Sequence, residues 1–185
     1  MTTNDSQTST DPSAAPARRR RQIAVIGDGE AGELIEKTAE DIGGRIAEFD
    51  AVLITGGHGG VMEAACRGAA MKGGTCVGII RSGDLSRANR HCNVVIGTEL
   101  EHARNVLTVL SSDAVIAIGG GAGTLSEICF AWIHNRPIFI LRGYGGWSDR
   151  LNNSTELDKR RSTHMCSYES VDELFDGMAA YMKWT

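Results

Sequence analysis

Two glycine-rich turns, each set between a short apolar run and a helix-like stretch, constrain this chain more than any other feature. The first, Thr55-Gly-Gly-His-Gly-Gly60, follows Ala51-Val-Leu-Ile54 and leads into Val61 to Ala70. The second, Gly119-Gly-Gly-Ala-Gly-Thr124, follows Ala114-Val-Ile-Ala-Ile118 and leads into Leu125 to Trp132. Strand, glycines and helix in that order are the syntax of an anion site. Glycine lets the backbone approach a ligand, and the unpaired N–H groups that open a helix, reinforced by its dipole, favour phosphate or carboxylate. Gly56, Gly57, Gly59 and Gly60, with Gly119, Gly120, Gly121, Gly123 and Thr124, are therefore candidate ligand-binding positions expected to share one cleft.

The rest of the chain supplies a scaffold for such a cleft. From Gln22 onward, short apolar runs alternate with longer helical patterns: Ile23 to Ile26, Ala51 to Ile54, Cys76 to Ile80, Val94 to Ile96, Ala114 to Ile118 and Ile138 to Leu141. Between the first two, Ala31 to Phe49 carries Ile35, Ala39, Ile42 and Ile46 at spacings of three and four, the period of an amphipathic helix. Continuous apolar runs fit parallel strands covered on both faces. Right-handed crossovers then give an α/β fold, a single doubly wound Rossmann-like domain with a mostly parallel sheet flanked by helices. Arg142 to Ser162 is polar and reads as a long loop with a short helix near Asp149 to Leu151. The C-terminal stretch from Ser170 to Trp184 reads as a helix with a serine N-cap and an apolar face of Leu174, Phe175, Met178 and Met182.

Bulk properties narrow the function classes. At 185 residues with 42% hydrophobic content, residues 22–185 are expected to form one domain, preceded by a disordered tail, residues 1–21, ending in the arginine run Arg18 to Arg21. That run reads as a solvated charge cluster. A net charge of −4 argues against neutralising a nucleic-acid backbone as the main task, so no nucleic-acid partner is expected. There is neither a long apolar run nor a signal-peptide core, so a cytoplasmic location without membrane partners is expected. Cys66, Cys76, Cys92, Cys129 and Cys166 show no C-x-x-C spacing, which predicts reduced, mostly buried thiols and no metal site. The histidines likewise lack ligand spacing.

Gly27-Asp-Gly-Glu-Ala-Gly32 matches G-x-G-x-x-G after the first strand, but the second strand runs into Thr55-Gly56-Gly57 where the dinucleotide fingerprint needs an acidic residue. Gly27 is thus a secondary candidate whose simpler role is a tight turn. Glu127, expected in the first turn of the helix after the second glycine loop, could accept ribose hydroxyls or orient a water for attack on an anomeric carbon; the alternative is an ordinary dipole-offsetting glutamate. Arg104 could fork onto a phosphate or offset a developing charge, or simply pair with Glu101 on a helix surface. His58, Tyr144 and Trp147 are further secondary candidates, in loops on the expected ligand side. Trp132, Trp147 and Trp184 otherwise read as core or interface residues.

Taken together, Gly56-Gly57 with Gly60-Val-Met62, Ala103-Arg-Asn105, Gly119-Gly-Gly-Ala-Gly-Thr-Leu-Ser-Glu127 and Gly145-Gly-Trp147 resemble the LOG-like proteins, a group often labelled lysine decarboxylases. The resemblance covers about Ile23 to Trp184. It implies a nucleotide-binding Rossmann-type cleft in a homodimer or higher homo-oligomer. Arg104 and Glu127 then match the functional pair of the group's phosphoribohydrolases, which release a free base from cytokinin nucleoside monophosphates. Two positions depart from the hydrolase pattern: Ile118 stands where its motif opens with proline, and Asn105 where a lysine follows the arginine. Both departures are similar to a short A-R-N branch akin to molybdenum cofactor carrier proteins. The resemblance implies a small phosphorylated ligand, nucleotide or molybdenum cofactor, and no further required cofactor. Decarboxylation does not fit, because Lys37, Lys72, Lys159 and Lys183 read as exposed helix or loop residues outside any site.

Overall fold

The computed structural model describes residues 19–153, 155–159 and 163–183. Seven strands form one sheet: β1 (Gln22–Gly27), β2 (Val52–Thr55), β3 (Thr75–Ile80), β4 (Val94–Gly97), β5 (Ala114–Ile118), β6 (Ile138–Leu141) and β7 (Met165–Tyr168). Their spatial order is β4-β3-β2-β1-β5-β6-β7, and every neighbouring pair is parallel. Five helices cover the sheet: α1 (Glu33–Glu48), α2 (Val61–Met71), α3 (Asn105–Leu110), α4 (Ala122–Ile133) and α5 (Val171–Met182). This is the doubly wound Rossmann-like arrangement the apolar runs predict.

Alternation along the strands divides the core between two layers. Ile23, Val25, Leu53, Ile116, Phe139 and Leu141 point to one face and pack with α1, α2 and α5. Ala24, Ile26, Ile54, Val115, Ala117 and Ile140 point to the other, against Val109 of α3 and Ile128, Ala131 and Trp132 of α4. On the first face, α1 and α2 touch backbone to backbone at Gly43 and Gly68. A Cβ on Gly43 would collide with the Ala65 carbonyl, and one on Gly68 with the Glu40 carbonyl. The two bare positions therefore set the distance between the helices, and with it the placement of the α2 N-terminus.

Four features differ from the sequence-based expectations. β7 went unseen because Met-Cys-Ser-Tyr is short, only partly buried and not apolar throughout. A disulfide joins Cys66 of α2 to Cys76 of β3, with Cα atoms 5.6 Å apart, where reduced thiols were expected; chain spacing is silent because the bond links neighbouring elements. Arg19, Arg20 and Arg21 are paired rather than a free charge cluster, although Arg19 stays exposed: Arg19 pairs with Asp113, Arg20 with Asp50, and Arg21 donates to the Met182 carbonyl. Finally, α4 begins at Ala122, so Glu127 lies in its second turn, and no acidic residue occupies the first. The expected short helix near residue 149 is a 3₁₀ turn, Ser148–Arg150, and Ser170 caps α5 by accepting the Glu173 amide. Residues 1–18 and Trp184 lie outside the described residues, as do parts of the 142–162 loop. No helix among the described residues is long and apolar enough to cross a membrane.

Candidate functional site

The strand order reverses between β1 and β5, and in open parallel sheets ligands bind where such a reversal opens a crevice at the strand carboxyl ends. A cleft of about 440 Å³ lies there, within the size range of small-molecule sites. Its floor and walls come from three sources. The turn after β1 supplies Gly27, Asp28, Gly29 and Glu30; the β2 and β3 side supplies His58, Met62 and Arg81; α4 and the segment before α3 supply Gly121, Gly123, Thr124, Glu127, His102, Arg104 and Asn105.

At its base Arg104 Nη1 lies 3.2 Å from Glu127 Oε1, with both side chains almost fully buried. Arg104 is delivered by a 3₁₀ turn, Glu101–Arg104, and Nη1 also donates to Thr108 Oγ1 at 3.1 Å. Its Nε is buried without a hydrogen-bond partner among the described residues. The guanidinium lies against Gly56, where a Cβ would overlap it. Gly56 thus makes room for the arginine. Burial dominates the electrostatics: it pushes Glu127 up to about 7 even though Arg104 pulls it down, and it lowers the Arg104 guanidinium even though Glu127 raises it. Glu127 consequently exchanges its proton near neutral pH, the condition for general acid–base work.

Above this pair, Arg81 leaves the end of β3 and its Nε donates to His58 Nε2 at 3.3 Å. Burial, then Arg81, Arg104 and Arg87, lowers His58 to about 4, so it is neutral at pH 7 and serves as an acceptor that orients Arg81. The two glycine loops are stitched together by Asp28. Its carbonyl accepts the Val61 amide at 3.0 Å, and its Oδ2 accepts the Gly120 amide at 2.8 Å. Asn105 closes the far wall, its Nδ2 donating to Ser126 Oγ at 2.7 Å and to the Gly123 carbonyl at 3.3 Å. The N-cap of α4 is Gly121, which has no side chain to satisfy the first amides of the helix; these open into the cleft.

Of the sequence candidates, Gly27, His58, Arg104, Gly121, Gly123, Thr124 and Glu127 line the cleft. Gly56, Gly57, Gly59, Gly60, Gly119 and Gly120 build the turns without lining it. Tyr144 and Trp147 are turned elsewhere: the Tyr144 hydroxyl lies 3.0 Å from Thr38 Oγ1, while the Trp147 ring stacks under Arg150 and its amide donates to the Gly120 carbonyl. They buttress the second loop from behind. Arg104 does not pair with Glu101 across a surface turn; it is buried. Asp28, Met62, Arg81 and His102 were missed. Two of these carry a signal in the sequence, Asp28 by its place inside the G-x-G-x-x-G turn and Met62 by its place in the Gly60-Val-Met62 motif; Arg81 and His102 carry none.

A family model described as the SLOG cluster4 family matches residues 20–175. A cytokinin riboside 5′-monophosphate phosphoribohydrolase of Mycobacterium tuberculosis is 31% identical over 160 residues, 80% of this chain and 85% of that protein. The molybdenum cofactor binding protein of the phototrophic bacterium Rippkaea orientalis superposes with a TM-score of 0.79 at 32% identity, covering 90% of this chain and 99% of that one. The molybdenum cofactor carrier protein of Chlamydomonas reinhardtii superposes with a TM-score of 0.73 at 30% identity, covering 90% and 98%.

Proposed function

Because the chain belongs to the SLOG cluster4 family, we propose that it is a binding protein for a small phosphorylated heterocycle held in this cleft, with the molybdenum cofactor the favoured ligand. The observation that carries this reading is the meeting of the uncapped α4 N-terminus with Arg81 across one cleft, while Arg104 is already committed to Glu127. An anion finds there the amides of a helix start and a separate cation. Asn105, neutral and hydrogen-bonded to Ser126, leaves the deep end of the cleft less positive than a lysine would. The named carrier and binding neighbours, similar over nearly their whole lengths, support the same reading. We further propose that the protein is a cytoplasmic homo-oligomer.

The test is anaerobic titration with molybdopterin. Arg81→Ala is expected to weaken binding by roughly 10- to 100-fold, the value of one charge-assisted hydrogen bond, with Glu127→Gln close to wild type. Equal affinity in the Arg81 variant counts against the site.

A second reading rests on the Arg104–Glu127 pair. A carboxyl that titrates near 7 at the base of a nucleotide-sized cleft is suited to orient a water toward an anomeric carbon, with Arg104 offsetting the charge change. The chain would then be a nucleoside 5′-monophosphate phosphoribohydrolase, as its mycobacterial relative is named. Free-base release from a panel of nucleoside 5′-monophosphates that disappears in Glu127→Gln would replace the carrier reading.

A further inference from the structure

Away from the cleft, three sulfur atoms converge. Cys66 of α2, Cys76 of β3 and Cys92 in the turn before β4 place their Sγ atoms within 4.8 Å of one another, and the Cys66 and Cys92 sulfurs are 3.9 Å apart. Cys66 and Cys76 are completely buried, and Cys92 is partly exposed. The turn that carries Cys92 is firmly held. Asn93 Oδ1 accepts the Cys76 amide at 2.7 Å and the Asn93 amide donates to the Cys76 carbonyl at 2.9 Å. The Cys92 amide donates to the Asn89 carbonyl, while the Asn89 amide donates to the carbonyl of Gly57 in the first glycine loop. The strand position beside the cluster is Gly78, where any Cβ would strike Cys92 Sγ.

We propose that Cys66, Cys76 and Cys92, when reduced, form a trigonal thiolate site for a soft monovalent ion, Cu(I). Thiolate ligands select Cu(I), zinc or iron–sulfur clusters. Structural zinc sites are almost always four-coordinate, and no histidine, carboxylate or further cysteine among the described residues joins these three. Three sulfurs, two of them sealed in the core, match an ion content with three ligands. The Cys66–Cys76 disulfide is the oxidised, metal-free form of the same site. A phosphine restores the thiols: with water it takes up the oxygen as phosphine oxide, and the two hydrogens end on the two sulfurs. The site also touches the ligand cleft's scaffold, since Cys66 Sγ lies 3.4 Å from Thr55 Oγ1, which in turn accepts the Gly57 amide.

The experiment titrates the phosphine-reduced full chain, without oxygen, against the Cu(I)–bicinchoninate complex. We expect one Cu(I) withdrawn per chain, with a near-ultraviolet thiolate-to-copper band and three sulfur neighbours by X-ray absorption. The Cys129→Ser/Cys166→Ser double variant should bind as wild type. Cys92→Ser should weaken binding by more than the ~10- to 100-fold that loss of an outer-shell partner costs. Unreduced protein should take up none. Uptake that survives Cys92→Ser, or that vanishes in the Cys129/Cys166 double variant, overturns the assignment; so does a two-sulfur environment in the wild type, a readout that needs no variant to fold.

Discussion

Glu127 shows how far one residue's setting departs from what its neighbours in sequence suggest. A glutamate soon after a glycine loop resembles a helix-dipole partner, yet α4 starts early enough to carry it inward, against Arg104. Its carboxyl is raised in the folded state to about 7 from an ordinary 4.5, so the folded protein holds this proton more tightly than the unfolded chain. The stability that the protonated form contributes is fully present below about pH 4.5 and is lost as pH rises through 7. The loss amounts to about 3 kcal/mol. Glu127→Gln cannot ionise and lacks this dependence, so its stability relative to wild type should improve by that amount between pH 4.5 and 7.5 in urea unfolding. A pH-independent gap between the two proteins would show that Glu127 titrates normally. Arg81 makes the complementary point: no motif surrounds it, and only the sheet carries it to the cleft.

At the level of elements, the strands at the sheet centre were legible because they are buried on both faces and therefore continuously apolar. Their glycine turns and the amphipathic α1 were legible for similar reasons of local chemistry. β7 was not, since an edge strand needs only partial burial, and neither was the meeting of Cys66, Cys76 and Cys92, which depends on how α2 lies over β3. The α1–α2 contact explains that placement. Gly68→Ala would drive a methyl group into the Glu40 carbonyl, and the helices would have to separate. The expected cost is roughly 1–3 kcal/mol of stability, typical of overpacking, accompanied by weaker ligand binding because the α2 N-terminus borders the cleft. Denaturant unfolding and ligand titration of this variant measure both effects. Gly32→Ala, where a Cβ meets nothing within 4 Å, is the matched control.

At the scale of the whole molecule, the β4 edge of the sheet leaves apolar side chains exposed. Val94 and Ile96 of β4 are 47% and 45% exposed, on the face that carries α3 and α4 further along the sheet, and Leu110 at the end of α3 is 40% exposed. The homo-oligomer that the family resemblance implies would have its apolar contact there. Val94→Asp with Ile96→Asp should shift sedimentation toward the single chain while the far-ultraviolet spectrum stays unchanged; an unaltered sedimentation profile would place the contact elsewhere. The sheet order has a further consequence for how the protein comes into being. β1 hydrogen-bonds to β5, Ile23 beside Ala114, so a nascent chain emerging from the ribosome can wind β1 to β4 while the opposite edge of its first strand stays unpaired. The binding crevice does not exist at that stage. It is completed only when α4 arrives, so a young polypeptide that ends short of Glu127 lacks the capacity to hold its ligand, and its centre is sealed only once Phe139, Leu141, Leu174, Phe175 and Met178 have followed.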